Sequence, residues 1–508
     1  MSLLIGLDVG TTSVKAGLFD ASGQLLGTAA EEYRLSHPAP DRAELDPDVY
    51  WTATRAAIGK VLASPRADAD AIAAVAVSSQ GETVIAVDEQ GRPLAPALVW
   101  LDNRAADEAE EIARHFDDAM VYAATGVPSV VPTWTACKIL WWRRHEPEVF
   151  ARARRFLLVE DLILHRLTGR FVTEGGIACT SLLYDIVERR WWEPMLEFVG
   201  IGAERLPELI APGACVGTLA PAAADALGMP ERALVVAAGM DQGAGAVGVG
   251  NVGPGIVSES SGGALTLQVS VDTHGRDLTR QTPVYVHSAP DKYLYCPVCP
   301  TGGMALTWFR NQFGADELAR ADREGADAYD LLTALAAPIA PGADGLTMLP
   351  HLMGAFSPEY EPEARGAFYG FTLHHGKGHF VRAVLEAVAF MLRRNLELLA
   401  GLETPALEIR SHGGGARSPL WNQIKADTCG VPVITLQGED AATRGDAMLA
   451  GVAAGVYADL TEAISAMVSV SEHYVPDATA HHAYDAAYAR YIQLFEALRP
   501  LYSSTRAM

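Results

Sequence analysis

Basic residues are in short supply. The 508-residue chain carries 39 Lys and Arg against 62 Asp and Glu, a formal net charge of −23. So acidic a surface repels phosphate backbones and anionic lipid headgroups, which argues against nucleic acid and membranes as partners. An anionic ligand would have to be held by backbone N–H groups and a metal ion. Cysteine is also scarce, six in all, and only Cys296 and Cys299 share a CxxC spacing. A structural zinc site needs a second pair, and a thioredoxin-like motif needs a different setting, so reduced thiols beside a proline-bounded turn are expected. No apolar run approaches the length of a membrane span. Leu3–Leu7 is too short for the core of a secretory leader, and Asp8 follows it with no basic segment ahead. No long polar tract marks a disordered region. These absences lead to the expectation of a soluble, cytoplasmic protein.

What is present is an ordinary globular composition, 49% apolar and 20% charged. At this length a single core is too large, and two domains of roughly 200–250 residues are expected. Apolar and β-branched runs at residues 3–35 read as two or three strands joined by tight turns. Residues 47–62, 107–116 and 134–145 have helical spacing. Residues 71–88 read strand, turn, strand, and "ALVVAAGMD" (233–241) reads as a buried strand ending in a carboxylate. The Gly/Pro-rich "GVGNVGPG" (248–255) is where the boundary between domains 1–250 and 251–508 is placed. The second half repeats the style. "GIVSESSGGALTLQVSVD" is again strand, small-residue turn, strand; 380–399 is a strong amphipathic helix; 406–430 is strand, triple-glycine loop, helix; and 441–456 is a small-residue helix. This echo suggests a duplicated α/β architecture with a cleft between the halves.

Three loops could carry chemistry. In "LDVGTTSVK", the turn Gly10-Thr11-Thr12-Ser13 can aim successive N–H groups and hydroxyls at one anion, while Asp8 holds a metal ion beside it. An ordinary hairpin with Thr-capped turn is the plain alternative. No GxxxxGK[ST] loop occurs, so a P-loop enzyme is excluded. "GMDQGAGAVGVG" (239–250) contains a GxGxxG, but "GNVGPG" interrupts the helix that a dinucleotide site needs, although Asp272 lies near the expected distance. Asp241 offers a different chemistry: a carboxylate at a strand end can take the proton of a hydroxyl attacking a phosphoryl group, or can simply cap a helix. Gly413–Gly415 would let a flat group such as adenine approach the backbone, or would satisfy a strand-to-helix loop with positive φ.

Taken in order, "GLDVGTTSVKAGLFD", "SSQGETV", "WLDNR", "KILWWRRHEPEVF", "AAGMDQGAGAVGVG", "ARGAFYGFTLHH", "RAVLEAVAF", "GGGARSPLWNQIKADTCGVPV" and "AATRGDAMLAG" resemble the FGGY carbohydrate kinases over nearly the full length. Xylulokinases are the subgroup most similar. The resemblance implies an α/β fold of two ribonuclease H-like domains of the actin, hexokinase and heat-shock ATPase kind, closing over ATP and a sugar. It implies Asp8 beside Mg²⁺ and Asp241 as general base. The sugar side would comprise Gln80, Glu82, Thr83, Trp100, Asp241 and Gln242. The ATP side would comprise Thr11, Thr12, Ser13, Lys15, Ser261, Gly262, Gly263, Gly413, Gly414, Gly415 and Asn422. A small sugar or polyol is the implied partner, with a homodimer entertained.

Departures from the family pattern bear on the substrate. The second phosphate loop reads Ser260-Ser261-Gly262-Gly263 where Gly-Thr-Ser or Gly-Thr-Thr is usual, and Ser261 is expected to supply the hydroxyl. "MGAFSPEYEP" lacks the Gly-Glu-Arg-Thr-Pro of many members, and "SSQGET" lacks the Met-His of xylulokinases and the Arg of glycerol kinases. Phosphorylation of a ketopentose such as D-xylulose is the leading expectation. A glycerol- or erythritol-type polyol kinase is the alternative that "QGET" favours. The altered loops also raise a catalytically impaired nucleotide-binding regulator. Glu82 is the only charged group of its turn, so it is expected either to accept bonds from two sugar hydroxyls or to be a solvated turn residue.

Overall fold

The computed structural model describes residues 2–274, 279–438 and 440–502. Strand Leu3–Val9 is buried at every position, as a strand covered on both faces must be. It lies inside a six-stranded sheet in the order Cys215–Thr218, Leu234–Met240, Ile72–Ser79, Leu3–Val9, Ser13–Asp20, Leu25–Glu32. Side chains alternate across it with the period of two that a strand imposes. Leu3, Ile5 and Leu7 pack with Tyr50, Ile58, Leu162 and Ile163 of helices Asp48–Leu62 and Val159–Thr168. On the opposite face Leu4, Ala74 and Val236 pack with Met448 and Leu449 of helix Ala441–Ala453. A helix from the second half of the chain therefore closes the first sheet. It fits because Gly6 has no side chain: a Cβ there would lie 1.8 Å from the Thr443 carbonyl oxygen.

The second sheet draws on residues 256–474. Its order is Val284–Val286, Tyr293–Tyr295, Leu265–Val271, Ile256–Ser261, Glu408–His412, Val433–Leu436, Val470–Tyr474, with Val298–Cys299 also pairing to Leu265–Val271. Helix Lys377–Gly401 runs across it, and its Phe390 meets the rings of Tyr484, Tyr488 and Tyr491 from the last helix. One strand–turn–strand segment behaves differently from its sequence pattern. After Ile72–Ser79 the chain does not return to the same sheet; Ile85–Val87 pairs instead with Arg155–Leu157. All six cysteines are free, Cys296 and Cys299 included.

Each sheet has three neighbouring parallel strands, and parallel strands bring their carboxyl ends to one edge, where ligands of α/β sheets bind. In the first sheet Asp8 is in register with Ser78, and Ser79 with Met240. The turns after residues 9, 79 and 240 are thus side by side. In the second, Ser260 is in register with His412, and Ser411 with Thr435. This gathers the turns after 261, 412 and 436. Helix Asp241–Gly248 connects the two sheets, and it crosses Ala441–Ala453 with almost no spacing: a Cβ on Gly248 would lie 1.7 Å from the Ala441 carbonyl oxygen, and one on Gly445 would lie 1.9 Å from that of Ala244.

Candidate active site

Asp8 is the penultimate residue of its strand and only 6% exposed. Its Oδ1 has no hydrogen-bond partner. Its Oδ2 lies 3.8 Å from Nζ of Lys15, which faces it directly on the antiparallel neighbour. The same ammonium lies 3.3 Å from Asp440, the residue that caps helix Ala441–Ala453. Burial pushes the Asp8 carboxyl up to about 8; the charges of Asp241 and Asp440 add to this and Lys15 opposes it. Asp241 opens helix Asp241–Gly248, where its Oδ1 accepts the Gln242 N–H at 2.7 Å. Burial raises it to about 6, against the pull of that N–H and of Lys15. Burial alone would lower Lys15, but Asp440 and Asp8 outweigh it and its pKa rises. Three carboxylates around one ammonium, with one buried oxygen unpartnered, form the kind of hard-oxygen donor set that fits a divalent cation.

The first turn is tight, with the Gly10 N–H bonded to the Ser13 carbonyl at 3.0 Å, and it leaves Thr12 exposed and Thr11 and Ser13 partly so. It is joined to the turn that follows strand Ile72–Ser79. Gln80 is buried, and its Nε2 donates to Gly10 O at 3.1 Å and to the Tyr50 hydroxyl at 3.0 Å. Its Oε1 accepts from Thr83 at 3.3 Å. Thr83 Oγ1 accepts the Trp100 N–H at 3.1 Å, and the indole N–H of Trp100 donates to Thr11 Oγ1 at 2.8 Å. Gln80 and Thr83, expected at the sugar, are fully buried braces between the turns; Trp100, at 37% exposure, is the open member. Gln242 reaches the other sheet, its Oε1 accepting from Gln268 at 2.6 Å.

Glu82 stands apart. Its φ is +56°, a conformation that non-glycine residues hold only when their surroundings enforce it. Thr180 Oγ1 accepts its N–H at 3.1 Å, while Thr135 and Lys138 donate to its carbonyl at 3.1 and 3.2 Å. Its carboxylate has no hydrogen-bond partner among the described residues and is partly exposed. Burial pushes it up to about 8, with Lys138 opposing and Asp241 adding. It is thus held in place by its backbone, and not a solvated turn residue.

The second-sheet edge differs from the expectation at Ser261. Its hydroxyl points inward and donates to Glu259, so Gly262 and Gly263, both exposed, present backbone alone. Gly413 has φ +74°, and a Cβ there would lie 2.9 Å from Ser260 Oγ. A groove of about 1160 Å³ is lined by Gly413 and Gly414 together with Lys15, His412, Gln437 and Asp440. Gly415 and Asn422 lie behind it: Gly415 packs on Ser261, and Asn422 is buried with its Nδ2 on Ala416 O at 2.7 Å. They shape the loop and do not line the groove.

Sequence reasoning missed Asp440, Lys138 and Arg444. Asp440 had a signal, an acid between a strand and a helix, which is where N-caps occur. Lys138 had none, since it sits in an apolar helix and is fully buried. Outside the cleft, Asp344, His374 and His379 bring three metal-ligand atoms within 4.8 Å of one another. Yet His379 Nδ1 accepts the Gly376 N–H at 3.1 Å, which puts the ring proton on Nε2, 3.2 Å from Asp344 Oδ2. His379 and Asp344 are thus a hydrogen-bonded pair at the start of helix Lys377–Gly401, with the His374 ring packed edge-on against His379.

The sequence matches the profile of the FGGY family of carbohydrate kinases, N-terminal domain, over residues 3–248, and that of its C-terminal domain over 266–454. A xylulose kinase of Bacillus subtilis (strain 168) is 28% identical over 506 residues, spanning 100% of this chain and 98% of that protein. A gluconokinase of the same organism is 30% identical over 482 residues, 94% of this chain and 92% of that one. The crystal structure of xylulose kinase from Rhodospirillum rubrum superposes with a TM-score of 0.90 at 28% identity, covering 99% of this chain and 100% of its own.

Proposed function

We propose that this chain, which belongs to the FGGY family of carbohydrate kinases, moves the γ-phosphoryl group of ATP to a primary hydroxyl of a neutral ketopentose such as D-xylulose. Residues 1–250 carry the sugar side and the base, and 251–508 the nucleotide side. The observation that carries this reading is Asp241, at the joint between the sheets, with a carboxyl raised only to about 6. At neutral pH it is ionised and basic enough to accept a proton. As the sugar oxygen attacks phosphorus, its proton passes to Asp241, the new O–P bond forms and the bond to the ADP oxygen breaks. Asp8, with its unpartnered oxygen, and Asp440 are the groups that would hold Mg²⁺, which when bound neutralises phosphate charge. Lys15 faces the same phosphates. Thr11, Thr12 and the amides of Gly262 and Gly263 border them. Gly413 and Gly414 offer a flat wall for adenine. Trp100, Gln242 and Glu82 face the sugar, with Gln80 and Thr83 fixing their turn.

Both xylulose kinase and gluconokinase occur among the similar proteins. An acid sugar would bring a carboxylate to an edge where Asp241 is ionised and where Asp8 and Glu82 are already pushed up by burial and by the charge of Asp241, so the charge distribution favours a neutral substrate. Retention of both Asp8 and Asp241 favours an active enzyme over a regulator. An ADP-release assay over D-xylulose, D-ribulose, glycerol, erythritol and gluconate tests this: the ketopentose should give the highest kcat/KM, and gluconate as best substrate would overturn the choice. Asp241→Asn should lower kcat by roughly 10²–10⁴ with ADP affinity unchanged; near-normal turnover would remove Asp241 as the base.

A further inference from the structure

Among the described residues three arginines are buried, and two of them are paired with acids. Arg104 binds Asp102 at 2.8 Å and Arg382 binds Glu386 at 2.7 Å. Arg444, on helix Ala441–Ala453, is 6% exposed, yet its bonds are to neutral carbonyls: Nε to Gly248 O at 2.7 Å and Nη1 to Gln437 O at 2.6 Å. No carboxylate among the described residues lies within ion-pair distance of it. Asp440, which caps the helix, is engaged by Lys15 and acts on Arg444 only through its charge, and Asp446 of the same helix accepts from the Ser78 hydroxyl at 3.0 Å. Burial draws its pKa down to about 10, which still leaves it fully charged at neutral pH. A desolvated charge without a counter-ion is costly, and proteins keep one where a ligand supplies the opposite sign.

The place of that ligand is given by the groove. Arg444 lines it beside Lys15, His412, Gly413 and Gly438. Gly438, with φ +81°, lets the backbone lie flat against the guanidinium, its Cβ position 3.4 Å from Nη1. Nη2 has no hydrogen-bond partner among the described residues. We infer that Arg444 binds a phosphate of the nucleotide, which supplies the missing counter-charge; this rests on the groove being the nucleotide site. A guanidinium already fixed by two carbonyls presents its remaining N–H groups in a set direction, which suits a phosphate oxygen better than a mobile lysine would.

The test is calorimetric titration of the whole protein with ADP, ATP and adenosine. Arg444→Gln should weaken ADP and ATP about ten- to a hundredfold, the scale of lost charge-assisted bonds, and leave adenosine and the sugar KM unchanged. Arg444→Lys, which keeps the charge, should recover part of the loss. In the wild-type protein, ADP should slow phenylglyoxal modification of Arg444, followed by peptide mass spectrometry, and adenosine should not; this arm does not depend on a variant folding. Equal losses for adenosine and ADP, or protection by adenosine, would make Arg444 a support of the loop and overturn the inference. Unchanged ADP affinity would do the same while leaving the groove a nucleotide site. Failure of the wild type to bind any nucleotide would overturn the groove assignment itself.

Discussion

Asp8 and Glu259 each stand on the first strand of a sheet, just before a glycine-bearing turn, and both are buried. Their surroundings differ in every other respect. Glu259 takes bonds from Lys425 at 2.8 Å, from Ser411 at 2.5 Å and from Ser261. Burial would raise its pKa, but Lys425 and these bonds overcome that and hold it below the usual carboxylate value. Asp8 has one oxygen unpartnered and, among the described residues, a single cation nearby at 3.8 Å, and its pKa is raised. A buried carboxylate with both oxygens engaged belongs to the scaffold; one left incomplete in the same kind of turn marks where a ligand completes it.

The comparison can be broken most sharply at Lys425. Lys425→Met should cost about 3–5 kcal/mol of stability, because it strands a buried charge, and urea denaturation measures it. Adding Glu259→Gln should restore most of the loss. If the single variant is as stable as wild type, Glu259 is not a scaffold charge.

Glu82 stands on the Asp8 side of the divide. Glu82→Ala should weaken the sugar by roughly 1.5–3 kcal/mol, seen in the sugar KM and not in that for ATP. Deoxy analogues lacking the contacted hydroxyl should lose affinity with wild type but no further with the variant. Additive losses would place Glu82 outside the sugar pocket.

Asp8→Asn should raise the Mg²⁺ concentration for half-maximal rate by about tenfold or more, the scale of disturbing a metal's surroundings. Stability should move the other way. The folded pKa of about 8 lies above the value of 3.8 for a free carboxyl, so the folded state binds the proton more tightly. Stability from this group is then full below pH 4 and declines as pH rises toward 8. The Asn variant should lack that decline, and melting temperatures between pH 4 and 8 would show it. A variant that melts lower than wild type at pH 8 would contradict the reading of Asp8 as an incomplete site.

The smallest effect concerns Lys15, which lowers the Asp241 pKa. Loss of activity on acidification should follow protonation of Asp241 near pH 6. Lys15→Met should move this acid limb of kcat/KM upward, by about one pH unit or less at the effective dielectric of a partly exposed pair. An unmoved limb would separate Lys15 from the base.

The sheets, the long helices and the two opening turns were legible in the sequence because apolar runs and turn residues fix them locally. Asp8, Asp241 and Glu82 were legible as carboxylates in or beside small-residue turns. What was not legible is who shares a hydrogen bond across long separations. The braces from Gln80 to Gly10 and from Trp100 to Thr11 span 70 and 89 residues. The same holds for the inward turn of the Ser261 hydroxyl, since residue type alone does not say whether a serine faces a ligand or Glu259. Arg444 looked like one charge in a small-residue helix; only the missing acid around it makes it a candidate.

The glycine contact between helices Asp241–Gly248 and Ala441–Ala453 makes the two backbones a fulcrum. Asp241 lies seven residues from Gly248 and Asp440 five from Gly445, about 10 and 7 Å along helices that rise 1.5 Å per residue. With nothing soft between the arms, a relative rotation of about 10° would sweep the Asp241 carboxylate through about 2 Å, the difference between a hydrogen bond and none. Bulk added at this crossing would therefore act on the reaction geometry before it acted on the fold.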